Sequence, residues 1–450
     1  MKESTSNLGV EKIGKLLLQY SVPAIVATAA ASIYNIIDRI FIGQGVGALA
    51  ISGLAITFPL MNITAAFGAM VGVGASSMVS IRLGQNNKQS ATQILGNALM
   101  LNVILGIAVS IITLIFLDPI LFALGASDNT LSYAKEFMEI ILLGNVFCQV
   151  YLGLNSIMRA SGYPTKAMIT SLVTVVINAI LAPLFIFVFK WGIRGAALAT
   201  VCAQIAGSLL VILHFTRRNS FLRFLPGCLK LKIEIIKDII SIGMSNFLML
   251  IAGSAVISII NLSLSKYGGD YAVGAYGIIN SIGNLGVMIV IGFNQGMQPI
   301  VGYNYGACNI ARVIRAFRLT ILFATCVTSC LFLLAEIFPS AIASAFTTDN
   351  KLIELTTIGM RLNLLMFSIV GFQMVTSNFF QSIGKAKISI FLSVSRQVLF
   401  LIPALLILPH FLGLNGVWLG SPTADITSSI LTFIVLKWQI KKIKTSIPLQ

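Results

Sequence analysis

Charged residues are scarce in this sequence, and acidic residues are scarcest. Only 10% of the 450 residues are charged, with 14 Asp and Glu against 30 Lys and Arg. A water-soluble domain carries about 25% charged residues, so the composition excludes a soluble globular fold. With 57% hydrophobic residues, the chain instead has the composition of an integral membrane protein.

Histidine and cysteine are also sparse, which limits the chemistry available. The two His and six Cys show none of the paired spacings of a zinc site or a disulfide framework. We therefore expect the cysteines to be packing residues, and we expect no metal centre and no cofactor. No Walker motif, catalytic triad or pair of acidic Mg²⁺-binding segments is present. We do not expect an enzyme, and any work done by the protein would draw on an ion gradient.

Long apolar runs occupy most of the chain. A helix that crosses a bilayer needs about 20 predominantly apolar residues, because its backbone polar groups are satisfied only within the helix. The three tryptophans, Trp191, Trp418 and Trp438, are predicted to be anchors at the membrane interface. The sequence predicts an all-α integral membrane protein with twelve spans, over 15–41, 51–80, 93–117, 132–158, 165–189, 194–216, 236–264, 273–300, 313–336, 355–382, 388–409 and 415–438.

The basic residues are distributed unevenly between the two sides of the predicted spans. The side that holds the N-terminus and alternate loops has 22 of the 30 Lys and Arg, the other side has 7, and Arg396 lies within a span. Cytoplasmic loops carry the excess of Lys and Arg. We therefore expect a multi-pass protein of the cytoplasmic (inner) membrane with both termini in the cytoplasm. Topology explains the positive charge, and we expect no nucleic-acid partner.

The two halves of the sequence repeat each other at an offset of 222 residues, with GASSMVSIRLG (74–84) aligned to GMQPIVGYNYG (296–306). The repeat predicts two pseudo-symmetric six-helix bundles. These are an N-lobe over 1–216 and a C-lobe over 236–450, joined by a cytoplasmic loop over 217–235. Because each half has an even number of spans, the repeats are parallel, which places a substrate path between the lobes.

Three spans of the first half carry polar side chains at helical spacing in otherwise apolar sequence. Residues three or four apart share one helix face, so the three faces would pack into a polar pocket around one carboxylate, Asp38. The sets are Thr28, Ser32, Asn35 and Asp38 in the first span, Thr170, Thr174 and Asn178 in the fifth, and Thr200, Gln204 and Ser208 in the sixth.

A carboxylate within a span usually faces water and carries function, because burying its charge costs at least about 2.5 kcal/mol. Asp38 is therefore predicted to be an ion-coupling site, together with Asn35, Asn178 and Thr200. It either exchanges a proton with the solvent or binds Na⁺ together with Asn178 and Thr200. The structural alternatives are a hydrogen-bonded cluster without function and an ion pair between Asp38 and the neighbouring Arg39.

The second half has polar residues of its own within the spans. Arg396, followed by Gln397, either pairs with Asp425 or marks a polar cavity, and its structural alternative is a snorkelling side chain. We expect polar side chains from both halves to line a substrate cavity. The predicted members are Gln204, Gln295, Gln298, Arg396, Gln397 and Asp425.

Four segments of the chain are distinctive in sequence: SIYNIIDRIFIG (32–43), MRASGYPTK (158–166), WGIRGAALAT (191–200) and GFNQGMQPIVGYNYGA (292–307). In these segments, and over essentially its whole length, the chain resembles the MATE (multidrug and toxic compound extrusion) family, in particular its bacterial DinF/MepA-like branch. The resemblance implies two lobes around a V-shaped cavity. It also implies export of organic cations or other amphipathic toxins against inward movement of H⁺ or Na⁺.

The resemblance also implies roles for individual residues. Asp38 matches the family's essential carboxylate, and Pro23 matches the proline at which the first helix is proposed to bend. Asn178 and Thr200 match the other members of the N-lobe ion site. The family pattern Asn-x-x-x-Asp-Pro reads Asn-x-x-x-Ala-Pro here, with Ala182 in place of the aspartate. The missing carboxylate favours a single proton on Asp38 over Na⁺.

The residues and the resemblance together predict a monomeric antiporter that exports small amphipathic or cationic compounds by alternating access. The rival is a flippase of the same superfold for lipid-linked oligosaccharides or other lipids, because fold alone does not fix substrate. Such a cavity needs several basic residues to bind a pyrophosphate, whereas Arg396 is the only basic residue deep within a predicted span.

Overall fold

The structure of the protein is a computed structural model that describes residues 3–446, and all regular structure within them is helical. The lobes predicted over 1–216 and 236–450 thus begin and end outside the described residues. The first half contains α1 (Glu3–Val10), α2 (Ile13–Gly45), α3 (Ala48–Gly84), α4 (Lys88–Ile115), α5 (Leu117–Ala123), α6 (Asp128–Ala160), α7 (Pro164–Pro183) and α8 (Gly192–Thr216). The second half contains α9 (Ile233–Gly306), α10 (Ile310–Ile337), α11 (Pro339–Ser344), α12 (Asn350–Asn363), α13 (Phe367–Ser382), α14 (Ala386–Val394), α15 (Ile402–Leu412) and α16 (Leu414–Ser446).

Twelve membrane-crossing helices account for the apolar runs of the described residues. Between residues 3 and 446, ten helices are long and apolar enough to cross a bilayer. One of them, α9, has 74 residues and would be about 110 Å long, whereas a hydrocarbon core is about 30 Å thick. Its backbone breaks at Gly269 (φ 66°, ψ −166°), so α9 supplies two spans. The pair α12 and α13, bent by 50°, supplies one more. The predicted all-α, twelve-span fold is confirmed.

The internal repeat is visible in the backbone conformation of the turns. Asn87 and Asn309 begin α4 and α10, and each accepts a hydrogen bond from the backbone N–H three residues later. This is the bonding of an N-cap residue. The residues with positive φ also recur in pairs: Asn86 and Cys308 (both 58°), Gly162 (94°) and Gly384 (77°), and Gly192 and Gly413 (both 56°). The two halves therefore share a fold as well as a sequence pattern.

Glycines of α3 allow close contact between helices. A Cβ on Gly72 would lie 3.0 Å from the Cα of Gly153 on α6, and a Cβ on Gly74 would overlap the carbonyl of Ile239 on α9. Small residues let membrane helices approach to backbone contact. The glycine-rich stretch at 72–74 thus serves helix packing.

The described residues form two compact units. Unit 1 comprises residues 3–11 and 22–247, and unit 2 comprises residues 12–21 and 248–446. The first turns of α2 thus belong to unit 2, and the first turns of α9 belong to unit 1. The lobe boundaries at 216 and 236 stay a prediction.

Each unit has an apolar core, and the core of unit 2 corrects one prediction. In unit 1, Ile42, Leu121 and Phe137 are buried in one cluster. In unit 2, Trp418 is 1% exposed and packs in a cluster around Met360. Trp418 is therefore a core residue and the predicted interfacial anchor is wrong at this position, because the segment that contains it faces other helices. The other two tryptophans are exposed, at 48% and 63%.

Candidate functional site

Asp38 lies on α2, four turns after Pro23, and its carboxylate accepts a hydrogen bond from a tyrosine. The Tyr34 hydroxyl donates to Asp38 Oδ1 at 2.8 Å. Tyr34 is buried and Asp38 is half-buried, so this bond forms largely away from water. The i, i+4 spacing places both side chains on one face of the helix.

Tyr34 also connects the carboxylate to two further helices of unit 1. Its hydroxyl interacts with the side chain of Asn178 on α7. The Asn178 Nδ2 group in turn donates to Thr200 Oγ1 on α8 at 3.4 Å. The structure thus brings Asp38, Asn178 and Thr200 into one polar network, and Tyr34 is the member that joins them.

Two amide oxygens near this network accept no hydrogen bond from any described residue. Asn178 Oδ1 and Gln204 Oε1 are both buried, and Gln204 lies one turn after Thr200 on α8. Leaving a buried acceptor unsatisfied costs about 1–3 kcal/mol. In natural structures, a buried acceptor without a protein partner often receives its hydrogen bond from a ligand or an ordered water molecule. These oxygens are suited to a hydroxyl donor or to a hard cation such as Na⁺.

Other members of the predicted polar faces bond to their own helices. Each of these hydroxyls donates its proton to a backbone carbonyl, so only its oxygen lone pairs remain for a ligand. The polar pocket therefore offers fewer hydrogen-bond donors than the sequence predicts. Thr200 itself donates to the Ala196 carbonyl at 3.1 Å, which leaves its oxygen to accept from Asn178. The same pattern, donation to a carbonyl three or four residues earlier, holds for Thr28, Ser32, Thr170, Thr174 and Ser208.

Asn35 and Arg39, the neighbours of Asp38 considered in the sequence, form no hydrogen bond or ion pair with its carboxylate among the described residues. The Asn35 side chain is exposed, and Tyr34 is the residue of this turn that bonds the carboxylate. The Arg39 guanidinium lies over the ring of Phe58, 5.2 Å from its centre. Asp38 is thus bonded by a neutral hydroxyl rather than locked to a guanidinium.

Pro23 lies inside α2, and the helix continues on both sides of it. Proline has no backbone N–H and removes one bond from the helix ladder. The point where α2 passes from unit 2 to unit 1, between residues 21 and 22, adjoins this missing bond. The helix ladder therefore lacks one hydrogen bond close to the point where the helix changes unit.

Unit 2 contains an ion pair between Arg396 and Asp425. Arg396 Nε is 2.7 Å from Asp425 Oδ1, and the two side chains are 23% and 4% exposed. Arg396 lies in a π-helical segment, Ser395–Leu401, and Asp425 lies on α16. The pairing that the sequence offered as one alternative for Arg396 is present. Of the two, Arg396 is the more accessible group.

The remaining residues predicted for a substrate cavity lie on α9 and beside Arg396. Gln295 is half-buried and Gln298 is buried. Gln397 Oε1 is buried and accepts no hydrogen bond from the described residues. Each lies within unit 2, as do Arg396 and Asp425.

An all-helical membrane protein with two parallel six-span repeats and a carboxylate inside one repeat has the architecture of a secondary transporter. The sequence profile of the MatE family matches residues 23–184 and 243–406. These segments make up well over half of the chain. The chain belongs to the MATE family of membrane transporters, in its MepA-like branch.

Related proteins agree with this assignment, and solved structures share the fold. The multidrug export protein MepA of Staphylococcus haemolyticus is 28% identical over 429 residues, which cover 94% of this chain and 93% of the relative. Its counterpart in Staphylococcus aureus is 28% identical over 408 residues, covering 90% and 89%. A MOP superfamily transporter from Pyrococcus furiosus aligns with a TM-score of 0.92 and 25% identity over 98% of both chains. A MATE crystal structure in a bent conformation aligns with a TM-score of 0.93 and 24% identity over 99% of both chains.

Proposed function

We propose that this protein exports small amphipathic, mainly cationic, compounds across the cytoplasmic membrane in exchange for inward movement of protons. The observation that carries the proposal is the network of Asp38, Tyr34, Asn178 and Thr200, which places one carboxylate among polar groups of three helices. Related proteins that cover almost the whole chain are named multidrug export proteins. We expect the protein to act as a monomer. The distribution of Lys and Arg indicates that both termini lie in the cytoplasm.

Protonation of Asp38 would change the hydrogen bonds of the polar network around it. An ionised carboxylate only accepts hydrogen bonds, whereas a protonated one also donates. In the ionised state, Asp38 accepts from Tyr34. When it is protonated, its new O–H needs an acceptor, and the unsatisfied Asn178 Oδ1 is an acceptor in the same network. The exchange of partners would shift α2 relative to α7 and bias the two access states.

The composition of the site favours a proton over Na⁺. A tightly held Na⁺ is best served by charged oxygen ligands as well as neutral ones, and Ala182, which is fully buried, stands where the family pattern has a second aspartate. Asp38 would be the single charged ligand, with Asn178 Oδ1 and Thr200 Oγ1 as neutral ones. Na⁺ stays the second candidate for the coupling ion.

The flippase alternative is less well supported than export of cations. A pyrophosphate-linked lipid needs unpaired positive charge in the cavity. Arg396, the basic residue that the sequence places deep inside a span, is neutralised by Asp425 at 2.7 Å. The structure therefore offers an anionic headgroup little net positive charge at this position.

The test is efflux of a fluorescent cation by vesicles that contain the protein, with pH and Na⁺ gradients imposed separately. We expect a pH gradient to drive export, and Asp38→Asn to reduce it to the level of vesicles without the protein. Asp270→Asn removes an exposed carboxylate beside the break in α9 and is the matched control, with export retained. Undiminished export by correctly inserted Asp38→Asn protein would overturn the proposal, and export driven by Na⁺ alone would replace the proton in it.

A further inference from the structure

A segment without regular secondary structure joins the two sequence repeats. We call residues 217–233 the inter-repeat segment. It starts after Thr216, the last residue of α8, and ends on the first residue of α9. Both α8 and α9 are apolar enough to cross a bilayer, so the segment begins and ends where a span leaves the membrane. With 16 residues between the two helices, it stays close to the interface between water and lipid.

Hydrogen bonds hold the backbone of the inter-repeat segment to other helices of unit 1. Asn97 of α4 accepts a hydrogen bond from the Lys232 amide at 2.7 Å and donates one to the Lys230 carbonyl at 3.2 Å. The Tyr163 hydroxyl accepts one from the Phe221 amide at 3.2 Å. The segment is thus positioned by specific contacts near both of its ends.

The apolar side chains of the inter-repeat segment form a buried set and an exposed set. Leu222 and Cys228 are buried, and the Cys228 backbone packs directly against Gly96 of α4. These residues account for the attachment of the segment to unit 1. Four large aliphatic side chains within 217–233 are instead 41–70% exposed: Leu225, Leu229, Leu231 and Ile233. Clustered exposed apolar residues of this size mark an interaction surface.

Basic side chains alternate with these exposed aliphatic residues. The Lys232 ammonium is held by Gln93 Oε1 at 3.0 Å, and the acidic residues that follow on α9 are Glu234 and Asp238, both exposed. The surface as a whole is therefore apolar and strongly positive. The exposed basic residues of the segment are Arg217, Arg218, Arg223, Lys230 and Lys232.

We propose that the inter-repeat segment is an interfacial anchor that binds anionic phospholipids of the membrane that contains the protein. The aliphatic side chains would enter the boundary between headgroups and acyl chains, and the basic ones would bind the phosphates. Apolar side chains flanked by Lys and Arg are typical of segments that lie in a membrane interface. Anionic headgroups attract each nearby Lys or Arg by about 1 kcal/mol. This binding does not depend on the transport function proposed above.

Amide hydrogen exchange of the full-length protein in lipid nanodiscs tests the proposal. The probe is phosphatidylglycerol, compared with nanodiscs of phosphatidylcholine alone. We expect amides of 223–232 to exchange at least about fivefold more slowly with phosphatidylglycerol, the factor that corresponds to one basic residue near an anionic surface. Exchange in the middle of α6 should be equal in both lipids and reports that the fold is intact.

Two variants separate the contributions of charge and apolar surface. The variant Arg218→Gln, Arg223→Gln, Lys230→Gln should lose the difference between the two lipids. The variant Leu225→Ser, Leu229→Ser, Leu231→Ser should exchange faster in both. A charge-matched control removes three exposed basic residues elsewhere, with Arg315→Gln, Arg318→Gln and Lys387→Gln, and should keep the difference.

Two results would overturn the proposal. One is equal exchange of 223–232 in the two lipids for the unmodified protein. The other is protection that rises with the number of protein molecules per nanodisc and not with phosphatidylglycerol, since a second copy of the chain would then be the occupant of this surface.

Discussion

The Asp38 carboxylate shares its tyrosine with an amide on another helix. The Tyr34 hydroxyl donates to Asp38 at 2.8 Å and also interacts with Asn178. A hydrogen bond to a charged group contributes about 1.5–3 kcal/mol, more than a contact between neutral groups. In the proposed mechanism, Tyr34 would position the carboxylate and transmit its state of protonation to α7.

Replacing Tyr34 by phenylalanine tests this positioning role. Tyr34→Phe removes the hydroxyl and keeps the ring, and we expect proton-driven efflux to fall about tenfold, in line with the loss of one such bond. Its dependence on pH should also change. Tyr151→Phe is the matched control, because it removes a hydroxyl bond of similar length, 2.9 Å to Ser171 in the same unit. Equal efflux and equal pH profiles for both variants would contradict the role of Tyr34.

The residues of this site differ in how readily the sequence predicts them. Asp38, Asn178 and Thr200 are polar residues at helical spacing within apolar spans, so their meeting inside the protein is predictable from the cost of exposing them to lipid. Tyr34 is not, because tyrosine is common in membrane helices and its ring gives no polar signal. The available signal was its position four residues before Asp38. The prediction that Trp418 is an interfacial anchor was wrong for a related reason, since an amphipathic ring packs in a core as well as at an interface.

The Arg396–Asp425 pair is a second residue-scale feature with a measurable consequence. Removing one partner of a buried ion pair costs about 3–5 kcal/mol, whereas replacing both by apolar residues is often neutral. We expect Arg396→Met to lower the thermal stability of the protein strongly, and the double variant Arg396→Met, Asp425→Leu to recover it. Thermal unfolding in detergent measures both. A double variant as unstable as the single one would show that the two charges do not mainly stabilise each other.

At the scale of helices, the sequence predicts where the spans are but not where they bend or depart from α-helical geometry. Hydropathy locates all twelve runs because the bilayer imposes a minimum length on each. The bend between α12 and α13 falls at 364–366, where the sequence has neither glycine nor proline. The π-helical segment Leu184–Val188 directly follows Pro183, and the missing proline N–H offers a physical reason for the altered ladder. The bend between α12 and α13 depends on tertiary packing, which hydropathy does not report.

The contact between α3 and the first turns of α9 predicts a strong effect of one methyl group. A Cβ on Gly74 would overlap the Ile239 carbonyl, and overpacking of a tight contact costs about 1–3 kcal/mol. We expect Gly74→Ala to lower the thermal unfolding midpoint. Gly277→Ala is the control, because nothing lies within 4 Å of the added atom and alanine favours a helix over glycine. Similar midpoints for the two variants would contradict the close packing at Gly74.

At the scale of the whole molecule, the repeat supplies a common fold and the two halves use it differently. In the register that aligns 74–84 with 296–306, Asp38 falls on Ile260, a buried apolar residue. Unit 2 places its intramembrane charges elsewhere, as the Arg396–Asp425 pair. The proposed coupling site therefore belongs to unit 1, and the shared turns of the two halves reflect folding rather than duplicated function.

The orientation of the whole molecule can be tested through its cysteines. Cys308 is exposed in the turn that joins α9 to α10, and eight spans precede it, so it should lie on the same side as the N-terminus. Cys326 is exposed on α10 inside a span, where lipid would cover it and keep a water-soluble reagent away. In a variant that retains Cys308 alone, we expect a membrane-impermeant maleimide to label inverted vesicles but not intact cells. A variant that retains Cys326 alone should label in neither preparation. Labelling of Cys308 from outside intact cells would reverse the proposed orientation, because the excess of Lys and Arg would then face the wrong side of the membrane.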